Sequence, residues 1–93
     1  MQQPFQHDLM KLIRNGDQDA FAALIRRHQN SLLNFFRRLG AYTESEDLVQ
    51  EVFLRLYRYR DRYEHSAKFT TFLYTLARHV WADRWRKVQR ILR

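Results

Sequence analysis

The residues of this sequence that could perform catalysis or bind metal ions do not have the spacing of a recognisable active site or metal site. The sequence has no cysteine, which excludes a disulfide framework and a thiolate metal site. The four histidines are scattered along the chain rather than clustered as metal ligands: His7, His28, His65 and His79. A glycine-rich phosphate loop is also missing, because Gly16 and Gly40 stand 24 residues apart. We therefore expect no enzyme activity, no cofactor and no metal site.

Chemistry suited to nucleic acids is concentrated in one stretch, Phe69–Trp85, which has the periodicity of a single helix. Its apolar stripe is Phe69, Phe72, Leu73, Leu76 and Val80. A polar and basic flank follows on the next face: Thr71, Thr75, Arg78, His79 and Arg86. Arginines neutralise phosphates, and polar and aromatic side chains hydrogen-bond or stack on unpaired bases.

An aromatic stripe of Tyr74, Trp81 and Trp85 runs along a third side of the same helix. Such a stripe is more often part of a core than a base-stacking surface. We expect Tyr74 and Trp81 to pack against the N-terminal helices and Trp85 to be partly exposed.

The charge distribution favours a polyanionic partner at the C-terminal end. The chain carries a net charge of +7, and the last 26 residues hold seven Lys or Arg against Asp83 alone. Asymmetry of this kind attracts a polyanion to one end of a molecule. A basic helix that is merely solvated is the alternative explanation.

The elements that must position these residues are all helical, because strand-like alternation is missing and only two glycines and one proline occur. We predict one compact domain over residues 1–93, a three- to four-helix bundle with a long basic C-terminal helix and a core over about 17–87. The predicted helices are Asp8–Arg14, Asp17–Leu39, Glu44–Tyr59 and a last helix from Lys68 or Phe69 to as far as Arg93. His28 is expected to be a partly buried packing residue.

The third helix has an apolar and an acidic side. Thr43 and Glu46 have the spacing of a capping box. The apolar side is Leu48, Val49, Val52, Phe53 and Leu56, and the other shows Glu44, Asp47, Gln50, Glu51 and Arg55. On a basic protein this second side predicts either a protein-binding surface or an ordinary solvated face.

A polar connector, Arg60–Lys68, separates the last two helices, and Ser66 is a candidate cap for the last one. No apolar run approaches a membrane span, and the N-terminus lacks the features of a signal peptide. We expect a soluble, cytoplasmic protein without membrane insertion.

The segments DLVQEVFLRLYR (Asp47–Arg58) and FTTFLYTLARH (Phe69–His79), joined by a short polar loop, resemble region 2 of bacterial extracytoplasmic-function (ECF) sigma factors of RNA polymerase. The resemblance extends over roughly Asp19 to Lys87. It implies a domain that docks on core RNA polymerase and recognises and opens the promoter −10 element. Two positions depart from the family pattern: Phe72 replaces the usual Trp, and His79 replaces the usual Asn.

The resemblance also implies site residues. Those that would dock on the clamp helices of the largest polymerase subunit are Asp47, Gln50, Glu51, Phe53, Leu54, Arg55 and Arg58. Those that would contact the −10 DNA, mainly its non-template single strand, are Tyr63, Glu64, His65, Ser66, Ala67, Lys68, Thr71, Thr75, Arg78, His79 and Arg86. The loop Tyr63–Lys68 would form a pocket for a flipped base. An anti-sigma factor is a further implied partner, and we expect no −35-binding domain within these 93 residues.

Two alternatives remain open at this point. One is a general helical nucleic-acid-binding module without a polymerase partner. The other is a protein-interaction domain whose basic helix binds an acidic regulator.

Overall fold

A computed structural model describes residues 6–64 and 68–92, with side chains from Asp8 onward. These ranges form four α-helices: α1 (Gln6–Arg14), α2 (Gln18–Arg38), α3 (Ser45–Arg58) and α4 (Phe69–Leu92). A 3₁₀ turn, Arg60–Arg62, follows α3. The predicted all-helical class and long last helix are confirmed.

The first two helices end in glycine-dependent turns. After α1, Gly16 adopts φ 89°, and the Asp17 amide donates to the Leu12 carbonyl at 3.0 Å. After α2, Gly40 adopts φ 96°, and the Ala41 amide donates to the Phe36 carbonyl at 3.0 Å. Only glycine adopts this backbone region without strain, which explains why both helices stop there.

The N-termini of α2 and α3, which follow these two turns, are capped differently. Asp17 caps α2, because its carboxylate accepts the Ala20 amide at 3.0 Å. The capping box predicted at Thr43 and Glu46 is wrong: α3 begins at Ser45, after Glu44, and no side-chain cap bond occurs there among the described residues. Glu44, not Thr43, occupies the N-cap position of α3. The buried Ser45 hydroxyl instead donates to the Tyr42 carbonyl at 3.3 Å.

One hydrophobic core joins all four helices. α1 contributes Leu9, Met10 and Ile13 to it. The apolar sides predicted for α3 and α4 are confirmed, although Phe72 is only half-buried. The remaining buried residues include Leu24, Leu32 and Phe36 of α2, Leu48, Val52 and Leu56 of α3, and Leu73, Leu76, Ala77 and Val80 of α4.

The end of α2 differs from the expectation. We predicted that this helix extends to Leu39, but it ends at Arg38, and Leu39 is 43% exposed. Ala41, after the turn, is buried in its place. The glycine turn therefore redirects the chain before Leu39 can reach the core.

His28 has the predicted packing role. It is buried on α2, and its ring centroid lies 5.2 Å from that of Phe69. Its Nε2 has no hydrogen-bond partner within the described part of the chain. Burial, with a smaller effect of neighbouring Arg27, lowers the pKa of His28 below 6.5.

Candidate nucleic-acid interface

The outer face of α3 carries most of the residues that the resemblance assigns to polymerase docking. Asp47, Gln50, Leu54 and Arg58 are exposed at one- and two-turn spacings along this helix. Leu54 is 58% exposed, which is unusual for a leucine next to a core. Phe53, in contrast, is only 4% exposed and points into the core. It can support the α3 outer face but not form its surface.

Glu51 and Arg55 belong to an ion-pair network that joins α3 to α4. Arg55 donates from Nε to Glu51 at 3.0 Å, and its Nη1 lies 2.8 Å from Asp83 Oδ2 on α4. Asp83 also accepts a hydrogen bond from Arg86. The bonds from Arg55 and Arg86 lower the pKa of Asp83. Burial alone would lower the pKa of Arg55, but its bonds to Glu51 and Asp83 raise it.

The polar flank predicted on α4 forms a continuous surface, which we call the α4 polar face (Thr71, Thr75, Arg78, His79 and Arg86). Thr75 is half-buried and the others are exposed. The Thr75 hydroxyl donates to the Thr71 carbonyl at 2.7 Å, and Arg78 donates to that hydroxyl at 3.2 Å. Helix periodicity thus brings together the five residues that the sequence predicted, and Arg78 is held in place by its own helix.

His79 and Asp83 stand one helical turn apart on α4, although we expected no histidine to be placed with another potential metal ligand. This pair does not form a metal site, because Asp83 is engaged by two arginines. Over residues 6–64 and 68–92, no group of three His, Cys, Asp or Glu side chains could hold a metal ion.

The connector is positioned through Tyr63. This tyrosine is 2% exposed, and its ring packs against Phe69 at 5.9 Å and Phe72 at 5.2 Å between centroids. Arg14 of α1 donates to the Tyr63 carbonyl at 2.6 Å. Burial raises the pKa of Tyr63. We expected Tyr63 to contact DNA, but its ring is enclosed in the core, where it anchors the connector instead.

The other residues of the predicted base pocket divide into two groups. Glu64 and Lys68 are both exposed. His65, Ser66 and Ala67 lie outside the described residues, as does the predicted Ser66 cap.

An open cleft of about 550 Å³ lies between the start of the connector and α4. One side of its lining comes from Tyr59 and Arg62, which sequence analysis did not select. α4 supplies Thr75 and His79 from its polar face, together with apolar Phe72. The signal in the sequence was the alternation of tyrosine and arginine in YRYRDRY (residues 57–63), which could have drawn attention to this segment.

The aromatic stripe of α4 is divided as predicted. Tyr74 packs edge-on against Phe35 of α2 at 5.3 Å, and Trp81 lies 6.4 Å from Phe36. Trp85 is 55% exposed. Packing against α2 therefore accounts for the first two rings.

Within the described ranges, none of the helices combines the length and hydropathy needed to cross a membrane.

Comparison with known proteins identifies the family to which the chain belongs. The Sigma-70 region 2 model matches residues 24–91. The ECF RNA polymerase sigma factor SigW of Bacillus subtilis (strain 168) is 38% identical over 79 residues, which cover 84% of this chain and 42% of SigW. The RNA polymerase sigma factor CarQ of Myxococcus xanthus is 39% identical over 77 residues, covering 80% of this chain and 43% of CarQ. The chain thus spans less than half the length of these relatives.

A solved structure is similar over almost its whole length. It is an NMR structure of an engineered region 2 of sigmaE in complex with GTAAAA. The TM-score is 0.90 at 29% identity, covering 99% of this chain and 97% of the other. Together with the sequence match over residues 24–91, this similarity shows that the chain belongs to the Sigma-70 region 2 family.

Proposed function

We propose that this domain acts in transcription initiation by docking on core RNA polymerase and binding the −10 element of promoters as an unpaired strand. The observation that carries the proposal is the similarity, at a TM-score of 0.90, to an engineered region 2 of sigmaE in complex with GTAAAA. The proposal assigns no catalytic step to the domain. Its two partners use different helices, α3 and α4.

The α3 outer face is the proposed docking surface for the clamp helices of the largest polymerase subunit. Its exposed Asp47 and Gln50 surround Leu54, which gives an apolar contact within a polar rim. Protein interfaces commonly have this arrangement, with an apolar centre and a polar periphery. The ion pairs of Glu51 and Arg55 stabilise the position of this face relative to α4.

The α4 polar face is the proposed DNA surface. Arg78 and Arg86 are exposed and can contact phosphates, while Thr71 and His79 present donors and acceptors to base edges. Opening a duplex and unstacking a base cost a few kcal/mol. A single strand already lacks those interactions, so we expect this face to prefer an unpaired strand. An anti-sigma factor that covers the α3 outer face or the α4 polar face also fits the proposal.

Fluorescence anisotropy with a labelled strand tests the DNA part. The first probe is GTAAAA, followed by variants with every single base substituted, because His79 replaces the usual Asn. We expect at least one single strand to bind more tightly than its own duplex. Equal affinity for single strand and duplex at every sequence would reduce the interaction to phosphate attraction and contradict the proposal.

A pull-down of core polymerase tests the docking part. Asp47→Lys combined with Leu54→Ala should strongly reduce capture, because it reverses one charge and removes the apolar contact. These positions are preferable to Glu51, whose replacement would also break its ion pair with Arg55. Asp19→Lys, an exposed charge reversal on α2, is the control and should retain capture. Unchanged capture by the Asp47/Leu54 variant, with its helical circular dichroism intact, would exclude the α3 outer face as the dock.

A further inference from the structure

We propose that Tyr59 and Arg62 form a stacking platform for one unpaired base in the cleft beside the α4 polar face. This inference rests on the proposed binding of an unpaired strand and adds a subsite to it. The platform lies outside the Tyr63–Lys68 loop and outside α4, the two segments that the family resemblance assigns to DNA.

The backbone holds both residues of the platform in fixed positions. The Tyr59 amide donates to the Arg55 carbonyl at 2.8 Å, which closes the end of α3. The Arg62 amide donates to the Tyr59 carbonyl, also at 2.8 Å. The 3₁₀ turn between them therefore brings the two side chains to the same side of the connector.

The side chains are stacked on each other. The Arg62 guanidinium carbon lies 4.8 Å from the centroid of the Tyr59 ring. Among the described residues, Arg62 makes this ring contact and no side-chain hydrogen bond or ion pair. Unpaired bases stack both on aromatic rings and on guanidinium planes, so this stack offers a suitable surface.

The neighbouring arginine–tyrosine pair shows what a purely structural stack looks like. Arg60 lies 4.2 Å from the Tyr57 ring, and it also donates to the Tyr57 carbonyl at 2.8 Å. The Tyr57 hydroxyl accepts a hydrogen bond from Gln18. Arg60 and Tyr57 are thus tied into the fold. The capping role of Tyr59 uses only its backbone amide, which any non-proline residue could supply.

The cleft opposite the platform has the chemistry that a nucleotide requires. Phe72 provides an apolar surface, and Thr75 and His79 provide polar groups for a base edge. Arg55, Arg62 and Arg86 line the same cleft with Asp83 as the acid. Because Asp83 is already paired with two of these arginines, the cleft has a positive balance that suits a phosphate.

The decisive experiment combines a tyrosine substitution with an abasic scan of the bound strand. The probe is the tightest single strand found for the wild-type domain, with each base removed in turn. Removal of the stacked base should weaken wild-type binding about fivefold or more. Tyr59→Ala should weaken binding to the intact strand by a similar factor. The affinity of this variant should then be the same with or without the stacked base, because the base has lost its partner.

Two further variants and one control separate stacking from loss of fold. Tyr59→Leu keeps an apolar side chain at this half-buried position and should lose affinity like Tyr59→Ala, whereas Tyr59→Phe should bind like wild type. Tyr42→Ala removes an exposed tyrosine from the turn between α2 and α3 and should leave the affinity unchanged. The thermal unfolding midpoint of each variant identifies any that fail to fold.

The outcomes distinguish this inference from the function it rests on. If wild type prefers the single strand and Tyr59→Leu binds it equally well, the platform is excluded while the proposed function stands. The platform is also excluded if Tyr59→Leu loses affinity but each abasic site still weakens its strand binding by the same factor as in wild type. If wild type binds single strand and duplex equally, the proposed function fails and the platform with it.

Discussion

At the scale of single residues, the two histidines whose side chains the structure describes, His28 and His79, occupy opposite environments. His28 is buried against Phe69, and its Nε2 has no partner among the described residues. His79 is exposed on the α4 polar face. Replacing the first should therefore change stability, and replacing the second should change binding.

His28 predicts a pH-dependent stability. Because burial lowers its pKa in the folded state, the unfolded chain takes up a proton more readily as the pH falls below 6.5. The neutral histidine therefore contributes stability above that value, and this contribution is lost as the pH falls through the lower, folded-state pKa. We expect the unfolding free energy, measured in urea, to decrease between about pH 7.5 and pH 5.5.

One substitution assigns that pH dependence. His28→Leu should flatten the stability profile in this range, since it removes the buried titrating group. A profile that keeps its slope in His28→Leu would assign the effect to another group.

His79→Asn should change base preference with little effect on stability. Asn presents a donor and an acceptor on one amide group, whereas neutral His has them on opposite ring nitrogens. Stability should stay within about 0.5 kcal/mol of wild type, because the site is exposed. Affinities for strands with each single base substituted measure the preference. An unchanged order of affinities would show that position 79 does not contact a base.

At the scale of elements, α3 and α4 are connected by packing and by one ion-pair network. Val52 and Leu56 of α3 are buried in the same core as Leu73 and Val80 of α4. Arg55 bridges Glu51 and Asp83 at the surface above this core. The apolar contacts dominate stability, because exposed ion pairs contribute about 0–1 kcal/mol.

Asp83→Asn should separate these two contributions. The Asp83 side chain is 43% exposed, so we expect a loss of less than about 1 kcal/mol. Arg86 is released from its ion pair and the cleft loses a negative charge, so affinity for a single strand should increase. Urea denaturation and strand anisotropy measure the two effects. Asp61→Asn is the control: it removes an exposed acid 4.0 Å from Arg14 and should not increase the affinity. Weaker strand binding by Asp83→Asn would instead mean that the ion pair between Asp83 and Arg86 positions Arg86 for DNA.

At the scale of the whole molecule, charge and shape are both asymmetric. The principal extents are 51 × 24 × 22 Å, and α4 alone is about 36 Å long. Arg78, Arg86, Lys87 and Arg90 are exposed along this helix. The long axis of the molecule thus carries a basic surface that several successive phosphates can contact.

This surface predicts a salt dependence. If about five phosphates are neutralised, log K for a single strand should fall against log[salt] with a slope of about −3.5. Arg78→Gln should make the slope shallower by about 0.7, since one contact is lost. Arg26→Gln, on α2 in the cleft beside α1, should leave it unchanged. A slope near zero would contradict any DNA role for α4.

Sequence periodicity was sufficient for the helices and for most of the core. The apolar residues of α3 and α4 repeat at helical spacing, and Gly16 and Gly40 stop the helices where positive φ is needed. The capping box failed because a four-residue pattern does not specify which residue begins the helix. The exposure of Leu39 and the burial of Ala41 were not predictable for a related reason, since the direction of the chain after a turn depends on tertiary packing.

The site was predictable where it follows one helix and not where it joins two. Thr71, Thr75 and His79 share a face by periodicity alone. The ion pair of Arg55 with Asp83 joins residues from different helices, and single-sequence patterns carry no information on such pairing. Tyr63 was misplaced for the same reason, because its burial depends on Phe69, Phe72 and the Arg14 bond to its carbonyl.

Because α4 has a buried and an exposed side, the exposed residues of this helix can be substituted without altering the core. Thr71, Arg78 and His79 contact solvent, whereas Leu73, Ala77 and Val80 alternate with them in sequence and are buried. Mutations at the first three positions therefore leave the folding determinants untouched. A library randomised at these positions should contain mostly folded members, so under the proposed function new strand preferences can be selected without compensating substitutions elsewhere.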